Sequence, residues 1–311
     1  MSERIPLLID TDPGVDDALA ILMALASEQH EVLGLCIAAG NVGLEHTCRN
    51  ALCLLDVAQR EVPVFAGCDR PLLHPAADAA FVHGNDGFGD VSLPTPARSV
   101  EAEHAALAIL RFSHEHAGRL HLVTLGPLTN LALALRLDPS LPSRIDRLTV
   151  MGGAVTGRGN TSLPAEFNIG FDPEAAHIVM SGFGHFDLID WEATLAHPIS
   201  FEAIDAYLGR PGELPRFYQA ISAKTRRWIA GCASAWHAAD GLAMAVALEP
   251  DGCLEVESCW VGVETEGRQY RGATLVDWQR RGGQPANARI LRRYDAQRFE
   301  RLIRKALAIA D

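Results

Sequence analysis

Short apolar segments alternate with helical segments up to about residue 190, and this alternation limits the fold more than any other feature of the sequence. The apolar segments are nearly continuous, which is typical of strands that are buried on both faces. The predicted strands are Ile5–Ile9, Val32–Ala39, Val62–Ala66, Leu120–Thr124, Leu148–Met151 and Phe186–Ile189. The predicted helices are Ala18–Ala26, Leu44–Ala58, Glu101–His114, Leu128–Leu137 and Glu174–Met180. This order predicts an α/β fold with an open, mostly parallel central sheet and helices on both faces.

The rest of the chain is less regular. It has a helical pattern from about Phe201, followed by three strand-like segments and a final helix. The strand-like segments are Glu255–Val263, Gly272–Val276 and Arg289–Arg293. Two long loops, Gly67–Arg98 and Gly152–Gly170, interrupt the regular part. Because no linker, repeat or low-complexity segment divides the 311 residues, a single domain over residues 1–311 is expected.

A strongly acidic turn joins the first predicted strand to the first predicted helix. Its sequence is Asp10-Thr11-Asp12-Pro13-Gly14-Val15-Asp16-Asp17. Four carboxylates in one turn raise one another's pKa, and they are costly unless a cation neutralises them. Acidic residues also cap helices, but capping would account for only one or two of the four. Carboxylate oxygens favour Ca²⁺ or Mg²⁺ over zinc, so the turn predicts a site for one of these cations.

Four more loops with polar or glycine-rich sequence follow predicted strands. They contain Ala39-Gly40-Asn41, His83-Gly84-Asn85-Asp86-Gly87, Leu125-Gly126-Pro127 and the segment from Gly152 to Asn168. In open parallel sheets, ligands bind outside the carboxyl ends of the strands. The acidic turn and these four loops are therefore expected to form one site.

Charge and cysteine usage narrow the range of partners. The net charge of -12 argues against a nucleic acid polymer as partner, because little could neutralise the phosphates. The sequence shows no charged-then-apolar leader and no apolar run of membrane-spanning length, so no membrane partner is expected. The seven cysteines lie mostly in apolar stretches and form no CxxC pair. They are expected to be buried thiols of a cytoplasmic protein.

Taken together, the acidic turn and the later loops resemble the inosine–uridine preferring nucleoside hydrolase family. The resembling blocks are Asp12–Ala18, Gly40-Asn41, His83-Gly84 with Gly87, Leu125–Asn130, Met151-Gly152-Gly153, Asn160, Ala165–Asn168, Asp172–Ala176 and Asp240–Ala243. The resemblance implies a nucleoside hydrolase fold with a Rossmann-like core and a deeply placed Ca²⁺. It also implies hydrolysis of the N-glycosidic bond of a small-molecule ribonucleoside, by a homodimer or homotetramer.

The same resemblance assigns roles to individual residues. The implied Ca²⁺ ligands are Asp12, Asp17, the main-chain carbonyl of Leu125, and Asp240. Asp12 is also the expected general base, which takes a proton from the attacking water molecule. The implied substrate ligands are Asp16, Asn41, His83, Asn160, Glu166 and Asn168. Of these, Asp16 is expected at the ribose 2′-hydroxyl and His83 near the nucleobase.

One position departs from the family. Members with broad base tolerance carry a histidine directly before the late aspartate, where this chain has Ala239. Either His237 or His83 could then give a proton to the leaving base, and His237 is the expected acid because it is close to Asp240 in sequence. Alternatively, sugar activation and aromatic stacking suffice. The candidates for stacking are Trp228 and Trp236.

Two other functions stay open at this point. Asp10-Thr11-Asp12 superficially resembles the nucleophile motif of haloacid-dehalogenase (HAD)-type Mg²⁺-dependent phosphatases. That family has Thr or Val where this chain has Gly14, and it needs a site lysine, whereas no lysine occurs here before Lys224. The second alternative, prompted by Ala239, is a catalytically degenerate, Ca²⁺-dependent nucleoside-binding protein.

Overall fold

The computed structural model describes residues 3–308, which form a layered α/β structure. The strands are β1 Ile5–Thr11, β2 His30–Ile37, β3 Val64–Ala66, β4 Leu120–Thr124, β5 Ile145–Met151, β6 Phe186–Ile189, β7 Ile199–Ser200, β8 Ala235–Trp236, β9 Cys253–Cys259, β10 Val261–Val263, β11 Thr274–Val276 and β12 Ala288–Tyr294. The α-helices are α1 Val15–Leu25, α2 Leu44–Val57, α3 Ala80–His83, α4 Ala105–Glu115, α5 Thr129–Leu137, α6 Phe167–Phe171, α7 Pro173–Gly182, α8 Trp191–Ala196, α9 Phe201–Leu208, α10 Glu213–Ala230, α11 Ala239–Leu248 and α12 Ala296–Ala306. Short 3-10 helices cover Leu141–Arg144 and Pro250–Gly252.

An eight-stranded sheet forms the centre, with the strand order β3-β2-β1-β4-β5-β6-β12-β9. All neighbouring pairs in it are parallel except β12 and β9. The order of the first six strands is that of a doubly wound Rossmann-like sheet, in which ligands bind where the order reverses. This confirms the predicted α/β class. It also makes the carboxyl edge between β1 and β4 the expected place for a site.

Two apolar cores lie on opposite faces of this sheet. In β1, Leu7 and Ile9 belong to one core and Leu8 to the other, as the two-residue period of a strand requires. The first core includes α1 and α11, and all ten residues of α11 are buried. The second core includes α4, α5 and α7. Both faces of the sheet are covered, which explains why its strands are nearly continuous apolar runs.

Several predicted boundaries differ from the structure. The strand predicted over Glu255–Val263 is wrong, because the chain divides at Trp260 into β9 and β10, which belong to different sheets. The Asn287 side chain bonds both the N–H and the C=O of Val261, at 2.7 and 2.9 Å, and so occupies groups that a longer strand would use. The helix predicted from Glu101 begins at Ala105, since Glu101 pairs with β3 instead.

Within residues 3–308, none of the helices is long and apolar enough to cross a membrane. All seven cysteines are free thiols. Cys232 is nevertheless exposed, whereas the sequence pattern suggested mostly buried thiols.

Candidate active site

A cavity of about 470 Å³ opens at the carboxyl edge of the sheet. All of the predicted site residues line it except Asp12 and Asp17. Those that do are Asp16, Asn41, His83, Leu125, Asn160, Glu166, Asn168, His237 and Asp240. They come from six separate parts of the chain, so the fold brings together what the sequence keeps far apart.

The acidic turn is held rigidly by hydrogen bonds. The Gly14 N–H donates to Asp17 Oδ2 at 2.9 Å, and the Thr11 hydroxyl donates to Asp17 Oδ1 at 2.5 Å. Asn41 donates its side-chain amide to Asp17 Oδ2 at 3.0 Å, which ties the ends of β1 and β2 together. The Asp17 side chain thus accepts the N–H of the residue that caps α1, so helix capping accounts for this one carboxylate.

Asp12 is enclosed by main chain. Its Oδ2 accepts the Asn41 N–H at 2.7 Å, while its Oδ1 is buried and has no hydrogen-bond partner among the described residues. Glycines allow this enclosure: a Cβ at Gly40 would lie 2.0 Å from Asp12 Oδ2, and one at Gly126 would lie 2.2 Å from Oδ1. A buried carboxylate oxygen without a partner is costly, which points to a ligand that is part of the working enzyme.

Three other carboxylates gather next to the cavity. One oxygen from each of Asp16, Asp17 and Asp240 lies within 4.8 Å of the others, and Asp12 is outside this group. Burial raises the pKa of all three, and for Asp17 and Asp240 the neighbouring carboxylates raise it further. Asp240 does not cap α11, since that helix has no side-chain cap.

This cluster fits a divalent cation. Its donors are all oxygens, as Ca²⁺ and Mg²⁺ require. The charges acting on Asp240 come from Asp16, Asp17, Asp12 and Glu166, all of them carboxylates. A divalent cation would relieve this repulsion and return the carboxylates to their ionised form. The cluster could therefore bind a metal ion, as the acidic turn predicted.

The cavity wall opposite the acidic turn is built from a second hydrogen-bonded group. Asn168 donates its side-chain amide to the Leu125 carbonyl at 2.7 Å, and this carbonyl keeps a second lone pair. Glu166 accepts the main-chain N–H groups of Gly153 and Asn168. Burial nevertheless raises the pKa of Glu166 to about 7. Asn160 uses its side-chain oxygen to accept the Phe167 N–H, which leaves its NH₂ group for other contacts.

His83 is uncharged in this site. The Val15 N–H donates to its Nδ1 at 3.2 Å, so the ring proton is on Nε2. Burial lowers the pKa of His83, although Asp17 acts in the opposite direction. His83 can therefore donate a hydrogen bond from Nε2 into the cavity.

His237 also lines the cavity. Its ring packs near Trp191, with 6.3 Å between ring centroids, and burial lowers the pKa of His237. The predicted stacking residues differ in accessibility, since Trp228 is exposed and Trp236 is buried, but both line the cavity.

Sequence reasoning missed several apolar residues of the cavity. They are Phe81, Met151, Trp191, Leu195 and Ile229. Trp191 follows β6 directly, so the rule that ligands lie beyond the carboxyl ends of strands could have identified it. Phe81 and Leu195 lie on short helices that the sequence pattern did not predict.

Comparison with known proteins gives a consistent result. Residues 7–301 match the family described as inosine-uridine preferring nucleoside hydrolase. The chain is 36% identical to the non-specific ribonucleoside hydrolase RihC of Salmonella paratyphi B, over 100% of both chains. A solved inosine-guanosine nucleoside hydrolase is 30% identical, with a TM-score of 0.92 over 99% of this chain and 100% of that one. The purine-preferring ribonucleoside hydrolase from Gardnerella vaginalis is 29% identical, with a TM-score of 0.89 over 97% and 98% of the two chains.

Proposed function

The chain belongs to the inosine-uridine preferring nucleoside hydrolase family and hydrolyses ribonucleosides to ribose and nucleobase, and we propose that it does so with one bound Ca²⁺. The observation that carries this proposal is the position of the acidic cluster beside a cavity lined by the predicted sugar ligands. A flexible set of carboxylate and carbonyl oxygens suits Ca²⁺, whose shell accepts six to eight of them.

We assign the Ca²⁺ to the carboxylates of Asp12, Asp17 and Asp240 and to the main-chain carbonyl of Leu125. The assignment of Asp12, which lies outside the group of three carboxylates, rests on the family resemblance. A bound Ca²⁺ would keep these carboxylates ionised and make a neighbouring water molecule more acidic. Asp16 belongs to the same cluster and also lines the cavity, which supports its assignment to the ribose 2′-hydroxyl.

In this proposal, Asp12 is the general base. Its Oδ1 takes the proton of the attacking water molecule, because that oxygen has no other partner within residues 3–308. Positive charge then develops on the sugar in an oxocarbenium-like transition state. Hydrogen bonds from the sugar hydroxyls to carboxylates strengthen as this charge grows. The remaining sugar ligands of the proposal are Asn41, Asn160, Glu166 and Asn168.

Departure of the base needs separate help. We propose His237 as the acid, because it lines the cavity and is the nearest histidine in sequence to Asp240. His83 would donate a hydrogen bond from Nε2 to the bound nucleoside. The purines named in two of the related structures, and the aromatic residues of the cavity wall, support purine ribonucleosides as substrates.

The two alternatives are not favoured. A HAD-type phosphatase belongs to a different family, whereas the nucleoside hydrolase match extends over residues 7–301. A degenerate nucleoside-binding protein would be expected to lose catalytic carboxylates, and Asp12, Asp16 and Asp240 are all present.

A reducing-sugar assay with a panel of nucleosides tests the proposal. We expect ribose release from inosine, guanosine or uridine. We also expect a loss of about 10⁴-fold in kcat/KM for 2′-deoxyinosine relative to inosine, because buried hydroxyl-binding groups would lose their partner. Phosphate release from a phosphomonoester without ribose release would support the phosphatase instead. Similar kcat/KM values for inosine and 2′-deoxyinosine would contradict the sugar-binding assignments.

We further propose a homodimer or homotetramer located in the cytoplasm. The family resemblance supports the assembly, and the seven free thiols support a reducing compartment. Light scattering on the purified protein would give the oligomeric state directly.

A further inference from the structure

The catalytic cavity has an outer part that is apolar and open to solvent. Phe81, Leu195 and Trp228 all line the cavity, and they are 61%, 43% and 44% exposed. Deeper polar groups of the cavity are much less exposed: Glu166, Asp240 and Asn168 are 1%, 3% and 5% exposed. Asp16 is partly buried, and Asn160 is exposed. We call Phe81, Leu195, Trp228 and Ile229 the apolar mouth.

The apolar mouth is an organised surface. The Phe81 and Trp228 rings meet edge to face, with 5.7 Å between centroids and 70° between planes. Behind them, the Thr225 hydroxyl donates to the Val82 carbonyl at 2.9 Å, which fastens α10 to α3. Aromatic side chains held open to water on a fixed frame, at the entrance of a cavity, are typical of a ligand subsite.

The orientation of the bound nucleoside determines which of its atoms contact the apolar mouth. This step rests on the proposed function, which places the ribose against Asp16 and Asn168 in the buried part of the cavity. The base must extend from the sugar towards the exposed part. On a purine, substituents of the six-membered ring point away from the sugar, and they would meet Phe81, Leu195 and Trp228.

We propose that the apolar mouth binds an apolar substituent on the six-membered ring of a purine ribonucleoside. The class of ligand is an adenosine or inosine analogue with an alkyl or benzyl group at position 6. Among the described residues that line the cavity, the carboxylates are Asp16, Glu166 and Asp240, and the proposed function assigns all three to the metal or the sugar. Burying the apolar substituent removes it from water together with the exposed faces of Phe81, Leu195 and Trp228.

The test compares the affinities of N6-benzyladenosine and adenosine for the enzyme. Both are measured as competitive inhibitors of ribose release from inosine, so the result does not require that either is hydrolysed. We expect N6-benzyladenosine to bind about 10-fold tighter, a gain within the range known for apolar groups in such pockets. Equal or weaker binding of the benzyl compound would overturn the proposal.

Two variants test whether the apolar mouth causes the difference in affinity between the two compounds. Trp228→Ala should reduce the ratio of the two inhibition constants to about one. Tyr270→Ala, which removes another exposed aromatic ring outside the cavity, should leave the ratio unchanged. An unchanged ratio in a folded Trp228→Ala protein would also overturn the proposal. Absence of ribose release from inosine and from every other nucleoside would instead reject the proposed function on which it rests.

Discussion

At the scale of single residues, Asp12 has the most unusual surroundings of the site. One carboxylate oxygen is fixed by a main-chain N–H, and the other is buried without a partner. Burial raises the pKa of Asp12 well above its usual range, and the charge of Asp17 adds to this effect. The absence of Cβ atoms at Gly40 and Gly126 leaves room for this carboxylate and fixes its place. Such a group is suited to accept a proton once a cation has restored its charge.

Replacing Asp12 by Asn should reduce kcat by about 10²- to 10⁴-fold, which is the usual contribution of a general base. The amide keeps one oxygen but cannot accept the proton, so KM should change much less. Steady-state kinetics with inosine measure both constants. Asp251→Asn, an exposed carboxylate on a 3-10 helix far along the chain, is a suitable control. A kcat close to that of the wild type would remove Asp12 from the role of base.

Replacing His237 by Ala should affect substrates according to their leaving group. Ribose release from inosine should fall by at least about 10²-fold, because the base would leave without a proton. Release of p-nitrophenol from p-nitrophenyl riboside needs no proton and should be nearly unaffected. Equal losses on both substrates, or no loss on either, would leave the acid unassigned.

Nine of the candidate residues line one cavity, and the sequence indicated this grouping because they lie in recognisable blocks at strand ends. Their roles stay predictions. Their partners could not be predicted from the sequence. That Asp16 joins Asp17 and Asp240, while Asp12 stands apart, depends on distances between loops that no spacing encodes. The position of the His83 ring proton on Nε2 likewise depends on the Val15 N–H, which lies far from it in sequence.

At the scale of secondary structure, the edge of the sheet opposite the site carries its own buried polar groups. His30 begins β2 and His121 lies in β4, with 5.9 Å between their ring centroids. His30 Nε2 and His121 Nδ1 are buried and have no hydrogen-bond partner among residues 3–308. Burial lowers the pKa of His30 to about 4, and the nearby His121 and Arg147 act in the same direction. The pair therefore folds in its uncharged form.

Acid should lower the free energy of unfolding, because His30 takes up a proton more readily in the unfolded chain than in the folded protein. Its pKa is lower in the folded state than in the unfolded chain, so between about pH 6.5 and pH 4 the unfolded state binds more protons. The contribution of uncharged His30 to the free energy of unfolding should thus be fully present above pH 6.5, and it should be lost as the pH falls towards 4. Urea unfolding at pH 7.5 and pH 5 should show a loss from His30 of about 1–2 kcal/mol.

A variant isolates this contribution from other titrating groups. His30→Gln should lose less stability than the wild type between the two pH values, whereas His177→Gln, at an exposed histidine of α7, should behave as the wild type does. If the His30→Gln and wild-type proteins lost the same amount, His30 would not be the titrating group.

Helices and strands were predicted well where the apolar pattern of a strand or a helix continued over enough residues to be recognised. The bounds of β4 and β6 agree with the sequence prediction at both ends. The helices α3 and α6 were missed, because four or five residues are too few to show a helical period. The division between β9 and β10 depends on Asn287, a residue outside both strands, and so could not be read from the strand sequence.

At the scale of the whole molecule, the proposed cation site joins distant parts of the chain. Asp17 lies at the beginning of α1 and Asp240 at the beginning of α11, and these two helices pack against each other. One sheet also contains strands from both ends of the described chain, which supports our proposal that the protein is a single domain. A cation bound between α1 and α11 would hold them together at the point where like charges otherwise push them apart.

Chelation should therefore lower both activity and stability. A cation that binds only the folded state at 100 times its Kd adds about 2.7 kcal/mol to the free energy of unfolding. We expect EDTA to abolish ribose release and to lower Tm by several degrees, and added Ca²⁺ to restore both. In Asp240→Asn, the Tm should depend much less on EDTA. If the wild-type enzyme kept its ribose release and its Tm after chelation, the Ca²⁺ proposal would be wrong.

The packing of α1 also has a consequence for the order in which the protein can form during synthesis. This helix precedes α10, α11 and α12 in the sequence, yet it packs against all three. Its neighbouring strand β1 lies between β2 and β4, so it too pairs with segments that are made later. Until α11 has emerged from the ribosome, the almost entirely apolar α1 lacks one of the helices that cover it. We expect nascent chains that stop before Ala239 to be more protease-sensitive than chains that include α11, and the acidic turn to acquire its final shape only after Asp240 has been made.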